Sequence, residues 1–467
     1  MLAESSKLPQ WTTVGFSGHR KLENPLCVAD GIRQALGLLK AKYGRLAAVS
    51  SAASGADTLF LEEVARRNLP CEVWLPSSHE VFKQDFSAAD WERVQPFLDR
   101  ALLVREVDGT QSRHEAFLET GVLTVEAADV MIFVWNGKPA TGKGGTADVY
   151  SYARTLGKAV VVIDPVNGQI VIQDGFGEEV PKQAAASFDA ENPRAAVESE
   201  FNELRKMAKR GAFSARKLIL WIISLQLAAA ALGVCLIAQI PGITHAGFLE
   251  PVLLAAATGL ILWLHVVQHK WIDSRTKVEL CRSFLAIWHF PRGRNFSPHM
   301  TIRGCEQLAR SLRIAWLLDR RPPWSFEETR DRYLVNRIQE QLKFYRDGHK
   351  RARGKSKLFF RMAEFVAALA LVTSVGEHVF DQTRWHVVSV ILPIVAAALL
   401  TFLVAREYSR RSVLYEELAL KLDHLRLRNE AARSWASLFR VVSETEDCLL
   451  REVEEWHSFT RSTSKLL

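Results

Sequence analysis

Glycines 142, 144 and 145, set beside a lysine and a threonine in Gly142-Lys143-Gly144-Gly145-Thr146-Ala147-Asp148, make the segment of this chain best suited to hold an anion. Glycine has no Cβ, so its backbone N–H can approach a phosphate closely, and a helix beginning at Thr146 adds the positive end of its dipole. The segment is not a Walker motif, because no Gly-Lys-Ser/Thr follows at the required spacing. The same residues also suit a plain helix-starting turn with Thr146 as the N-cap. Three other short segments have chemistry of the same kind. In Ser17-Gly18-His19-Arg20, the arginine can pair a phosphate through two nitrogens and His19 can hydrogen-bond or stack on a base. Ser51, Ser54 and the backbone at Gly55 can hold a phosphate or ribose. Asp57 completes a Ser54-x-x-Asp57 pattern that also reads as a capping box with a structural aspartate. Trp135, ahead of Gly137, offers a ring for stacking or a half-buried edge aromatic.

These segments need a scaffold that brings them to one edge. Short β-branched or apolar runs at 12–16, 45–50, 71–75, 129–135 and 159–163 alternate with amphipathic stretches such as Ala56 to Arg67. That alternation predicts an α/β domain, Rossmann-like, with a mostly parallel sheet covered by helices on both faces. Ligands of such sheets lie beyond the carboxyl ends of the strands, where these segments fall. Ile170 to Ile172 reads as a last edge strand. The Pro- and Gly-containing stretch over 165–200 reads as a linker.

Beyond residue 200 the period changes. Apolar runs at about 217–240, 248–268, 358–376 and 386–405 are each long enough to cross a hydrocarbon core of about 30 Å. Short turns at Pro241-Gly242 and Glu377 to Trp385 pair them into two hairpins. The fold class is therefore an α/β N-terminal domain followed by an all-α membrane region with four transmembrane helices and cytosolic helices. The expected divisions are 1–172 for the nucleotide-binding domain and 173–212 for the linker and basic pre-membrane helix. Residues 213–290 hold the first hairpin and its following helix, 291–350 a cytosolic helical segment, and 351–467 the second hairpin with the C-terminal helices. The helix and hairpin pattern repeats at an offset near 140 residues, which suggests duplication.

The 467-residue chain carries a net charge of +8, is 24% charged, and has a mean hydropathy of zero, a balance that fits separate charged and apolar blocks. Lysines and arginines crowd the outer ends of the apolar runs, among them Arg216, Lys217, Arg406, Arg410 and Arg411. This assigns the positive charge to membrane topology rather than to nucleic acid, and places both termini and 270–356 in the cytosol. Met1 to Pro9 has no apolar secretory core. The six cysteines are scattered, so neither a disulfide framework nor a metal site is implied. Glu364, Glu377 and His378 are the ionisable candidates for a pore lining, with an interfacial ion pair to Arg361 as the plainer role of Glu364. The acidic stretch 444–456, with Glu444, Glu446, Glu452, Glu454 and Glu455, reads as a solvated helix face.

Six segments in order, Gly15-Phe-Ser-Gly-His-Arg20, Ser51-Ala-Ala-Ser-Gly-Ala-Asp57, Leu75-Pro76, Glu115-Ala-Phe-x-Glu119-x-Gly121, Asp129 to Gly137 and Gly142 to Asp148, resemble the SLOG superfamily. This is the Rossmann-like group that includes the cytokinin-activating LOG enzymes and the DNA-processing DprA proteins, and the likeness is to its branch in bacterial conflict systems. Residues from about 200 to 467 are similar to the SLATT type of helical membrane effector. The resemblance implies a pocket formed by Gly15, Ser17, Gly18, Arg20, Ser54, Gly55, Asp57, Gly144, Gly145 and Thr146; with His19, Ser51, Glu119, Trp135 and Gly137 from the same segments these make the expected ligand site, and no catalytic or metal-binding residue is expected. The implied ligand is a cyclic nucleotide or an NAD-derived, cyclic ADP-ribose-like signal supplied by a partner synthase, with no resident cofactor. The implied protein is a multi-pass homo-oligomer in the bacterial inner membrane that permeabilises the bilayer in anti-phage immunity. The alternative is a membrane-anchored nucleotide-processing enzyme, a LOG-like N-glycosidase or phosphoribohydrolase. LOG enzymes carry a glutamate three residues after the threonine of the glycine motif; here that position is Val149, and Asp148 comes one residue early.

Overall fold

The computed structural model describes residues 8–107, 112–139, 144–173, 192–238, 246–291, 305–319, 322, 324–380 and 383–463. Gly142, Lys143, the Pro241-Gly242 turn and much of the 165–200 linker lie outside them. The chain divides into two compact units, one formed by 1–200 with 291–322 and the other by 201–290 with 323–467.

The first unit is built on a seven-stranded sheet in the order β4-β3-β2-β1-β5-β6-β7. The strands are β1 (Thr12–Gly18), β2 (Leu46–Ser50), β3 (Cys71–Leu75), β4 (Leu103–Glu106), β5 (Val130–Val134), β6 (Ala159–Ile163) and β7 (Ile170–Gln173). The first six run parallel and β7 closes one edge antiparallel. All five residues of β2 and of β5 are buried, as expected of parallel strands covered on both faces. Every expected strand is present. β4 is an addition: with Arg105 and Glu106 in four residues, it carries too little apolar signal to stand out.

Local chemistry starts the helices between them. Asn24 caps α1 (Pro25–Tyr43), with Pro25 at the first helical position, where a missing N–H costs nothing. Helix α2 (Ala56–Arg66) follows β2, and α3 (His79–Lys83) and α4 (Ala88–Arg100) follow β3. Ser112 and Glu115 form a reciprocal capping box at the start of α5 (Arg113–Ala127). Helix α6 spans Thr146–Thr155, so the helix expected at Thr146 begins there. One face of the sheet buries Phe16, Ile32, Leu36, Phe60 and Ile132 in a common core, and the other buries Val125, Met131, Phe133 and Val149.

Helix α7 (Pro193–Ile237) crosses from the first unit into the second, which also contains α8 (Leu249–Ala286). Helix α9 (Cys305–Leu318) returns to the first unit, so the expected 291–350 segment is shared between the two. Ala47 of β2 packs with Ile314 and Leu317 of α9. The second unit continues with α10 (Phe326–Tyr333), a π-helical turn at Leu334–Gln339, α11 (Glu340–Phe380), α12 (Thr383–Ala405), α13 (Tyr408–Ala431) and α14 (Trp435–Thr463).

Among the described residues, four helical stretches are long and apolar enough to cross a membrane, and only 6–17% of their most apolar windows is buried. Apolar helices of a large soluble protein would hide those surfaces, whereas here lipid is the solvent that suits them. Helices α7 and α8 run antiparallel: Gly211 lies against Trp271 and Gly233 against Glu250. Helices α11 and α12 pack as the second pair.

Candidate functional site

The strand order reverses at β1, whose neighbours are β2 and β5. In an open parallel sheet this switch point leaves a crevice beyond the carboxyl ends of the strands. The residues after β1 and β5 meet there: the His19 amide donates to the Val134 carbonyl at 3.2 Å, and the Asn136 amide donates to His19 Nε2 at 3.3 Å.

The β1 turn also lies directly on the start of α2. The Ala56 amide donates to the His19 carbonyl at 3.1 Å. Gly55 has φ +86°, and a Cβ there would fall 2.2 Å from the Arg20 carbonyl oxygen. A Cβ on Gly18 would fall 2.6 Å from that of Ala56. Both glycines are thus required by close approach of the two loops, a direct reason for Gly at each.

Asp57 holds the β2–α2 loop from inside. Its Oδ2 accepts from Ser51 Oγ at 2.8 Å, the Ala53 amide at 3.3 Å and Ser50 Oγ at 3.4 Å. The side chain is buried, and burial pushes its pKa up to about 6 despite these bonds and the nearby Arg20 charge. The capping-box pattern of Ser54 and Asp57 is not used: Gly55 is the N-cap, with no side-chain bond to the helix. Arg20 remains exposed, its guanidinium carbon 4.3 Å from the centre of the Phe117 ring. The stack holds a cation beside the carboxyl end of β1.

Gly144 and Gly145 stand beside α5, the helix that also carries Phe117. Gly144 has φ +84°, and a Cβ would meet the Leu118 amide nitrogen at 2.8 Å and the His114 carbonyl oxygen at 2.9 Å, so this loop sits against the first turns of α5. Gly145 is the N-cap of α6, and the Gly144 amide donates to Asp148 Oδ2 at 2.9 Å. Val149 is buried, with its Cγ2 where a Cβ on Gly121 would be.

The sequence-selected residues therefore separate by role. Ser17, Gly18, His19, Arg20, Ser51, Ser54, Gly55 and Asp57 stand on the linked β1 and β2 ends. Gly137 shapes the β5 turn with φ +76°, and Gly144, Gly145 and Thr146 open α6. Gly15 stands apart, inside β1, where it makes room for Met131 and Ala128. Trp135 is tied down: its Nε1 donates to the Lys138 carbonyl at 2.8 Å and its ring packs on Tyr150. Glu119 lies two residues, about 200° round α5, from Phe117, and its charge acts on Tyr152. Phe117 was embedded in a selected segment but not itself selected; its signal is an aromatic within the Glu115–Gly121 motif.

The second unit has a buried ionic centre. Glu446 of α14 accepts from Tyr333 Oη at 2.8 Å, from Arg337 Nε at 2.9 Å and Nη2 at 2.6 Å, and from Ser283 Oγ. Arg337 also reaches Glu279 of α8 at 3.0 Å. Arg337 is 2% exposed and Glu446 is fully buried. Arg275 pairs with the buried Glu452 at 3.1 Å. The 444–456 stretch is thus not a uniformly solvated face: Glu444 and Glu455 are exposed, while Glu446 and Glu452 turn inward. Their signal was positional, since Glu446 falls at helical spacing among Val442, Leu449 and Val453. The π-helical turn contains Arg337 and changes the register of the helix at the point where its side chain enters this centre.

Residues 333–456 match the family described as SMODS and SLOG-associating 2TM effector domain 1. This SLATT-like domain takes in the second membrane pair, α13 and Glu446, and it ends at Trp456. The first helix pair lies outside the match. No curated protein matches the chain.

Proposed function

We propose that the sheet domain is a SLOG-type sensor for a nucleotide-derived messenger, and that ligand binding makes the membrane helices assemble and permeabilise the bilayer in anti-phage defence. The observation that carries the reading is one chain joining a parallel-sheet switch point, with Arg20 stacked on Phe117 beside it, to a SLATT-like effector domain and four membrane-length helices. Arg20 supplies a cation for phosphate, the amides near Gly145 supply donors at a helix start, and the apolar helices supply the effector surface.

Sensing is favoured over turnover by what fills the position of the LOG glutamate. Val149 belongs to the core against Gly121, while Asp148 is engaged by the Gly144 amide. A general acid must reach the bond being cut, and a buried valine supplies no proton.

The deciding experiment uses the full chain in cells, with cyclic oligonucleotides and NAD-derived cyclic nucleotides supplied by co-expressed synthases. Membrane depolarisation and dye entry are expected for one ligand class in the wild type, and not for Arg20→Ala or Gly145→Asp. Equal depolarisation by all three would sink the sensor assignment, and conversion of the ligand by purified protein would replace it with the enzyme.

A further inference from the structure

We infer that the basic end of the membrane bundle contains a site for the phosphate of an anionic phospholipid, built from Arg216, Lys355, Arg406 and Arg411. Four cations from different parts of the fold meet here. Arg216 stands on α7 at the start of its apolar run, and its charge is acted on by those of Arg406 and Arg411. Arg406 ends the apolar run of α12. Glu407, at φ +52°, breaks the helix, and Arg411 lies in the first turns of α13.

Tyr408 centres the group. Its hydroxyl lies 3.3 Å from Arg406 Nε, its ring centre is 5.7 Å from the Arg406 guanidinium carbon, and Lys355 Nζ of α11 lies 5.6 Å from the same ring. Ser356 and Ser409 are hydrogen-bonded at 2.9 Å, fixing α11 beside the start of α13. Phe359 and Phe402 pack at 4.9 Å on the apolar side. An aromatic hydroxyl between lysine and arginine at the end of apolar helices is the arrangement expected at headgroup level.

The charge is not neutralised locally. Among the described residues, no carboxylate lies within ion-pair distance of Arg216, Lys355, Arg406 or Arg411. Glu407 pairs with Arg410 instead, at 3.9 Å. Glu452 is within electrostatic reach of Arg411 but is paired to Arg275. Gathering like charges without a counterion is unfavourable, and a phosphate accepting guanidinium hydrogen bonds would reverse the balance. The acyl chains of a phospholipid would lie along the exposed apolar surfaces, such as Leu358 and Val404, which a free anion would leave uncovered. Basic pockets between membrane helices recognise headgroups in this manner.

The test uses the full chain in nanodiscs of phosphatidylcholine mixed with phosphatidylglycerol, with the lipid retained after purification quantified by mass spectrometry. The wild type is expected to enrich phosphatidylglycerol, and Arg406→Gln with Arg411→Gln to lower the enrichment roughly fivefold or more. Arg216→Gln, on another helix, is expected to act in the same direction. Arg428→Gln, which removes a pair with Glu444, is expected to leave it unchanged. No enrichment by the wild type overturns the site, and so does equal loss in Arg428→Gln. Displacement of the lipid signal by inorganic phosphate would assign the cluster to a soluble anion and overturn the lipid.

Discussion

Arg310 Nη2 lies 2.6 Å from Asp129 Oδ1, tying α9 to the residue that opens β5. Asp129 Oδ2 accepts from the Thr13 amide of β1 at 2.9 Å, so the same carboxylate also joins the two strands that flank the switch point. Arg313 of α9 pairs with Glu72 of β3. The strand ends involved are the amino ends, opposite the crevice. Helix α9 lies in sequence between the two membrane pairs, and the chain passes between units on both sides of 291–322. The sheet domain is therefore linked covalently to the membrane unit at three places rather than one.

Removing the arginine should expose the cost of the carboxylate it neutralises. Burial raises the pKa of Asp129, while the Arg310 charge and the Thr13 amide oppose that rise. Arg310→Gln is expected to destabilise the first unit by about 2 kcal/mol, below the figure for a fully buried pair because Arg310 is partly exposed. Asp129→Asn should cost less, since a neutral amide needs no counterion. Thermal melts of both variants and of the double variant measure the coupling; strictly additive effects would show that the pair contributes nothing.

How much of this was written in the sequence depends on the range of the interaction. The core strands were legible because each is a compact run of buried apolar residues, and the turn glycines because Gly55 and Gly144 occupy positive φ. The docking of α9 was not: Arg310 and Arg313 look like surface charges of any amphipathic helix until the fold brings Asp129 and Glu72 beneath them. Glu446 failed in the same way, since composition cannot tell a buried acid with four donors from a solvated one. The crevice was legible as a set of segments, but the stacking of Arg20 on Phe117 needed α5 in place.

The buried centre around Glu446 should respond more severely than any surface pair. Arg337→Met leaves Glu446 and Glu279 without their shared cation, and a loss of about 3–5 kcal/mol is expected. Combining it with Glu446→Gln should recover part of that loss, because the uncompensated charge is removed. Loss of helical circular dichroism on heating in detergent reports both. A double variant no more stable than Arg337→Met alone would reject the ion-pair account.

Asp57 makes the first unit sensitive to pH. Its folded pKa, about 6, stands above the unfolded value of about 3.9, so the protonated form is the one that the fold prefers. Its stabilising contribution is complete below the unfolded value and is lost as pH rises through 6. Asp57→Asn should therefore stabilise the unit at about pH 8 by an amount on the order of 3 kcal/mol, the gain fading toward about pH 4. The melting temperature measured across that range gives the answer. A pH-independent difference would mean that hydrogen bonds from Ser51 and the Ala53 amide, rather than ionisation, set the effect of the substitution.

Restoring the LOG-type acid tests whether one residue separates this site from an enzyme. Val149→Glu would place a carboxylate in the core beside Gly121, where Val149 already fills the space a Cβ on that glycine would need. Burying that charge without a partner should cost several kcal/mol or force the side chain out, so the variant is expected to melt earlier and to show no nucleotide hydrolysis. Val149→Ala, which only leaves a cavity, should cost about 1–3 kcal/mol and leave ligand-dependent depolarisation in place. Hydrolysis by the glutamate variant, measured by chromatography of the products, would show that the crevice already positions a nucleotide for cleavage and lacks only the acid.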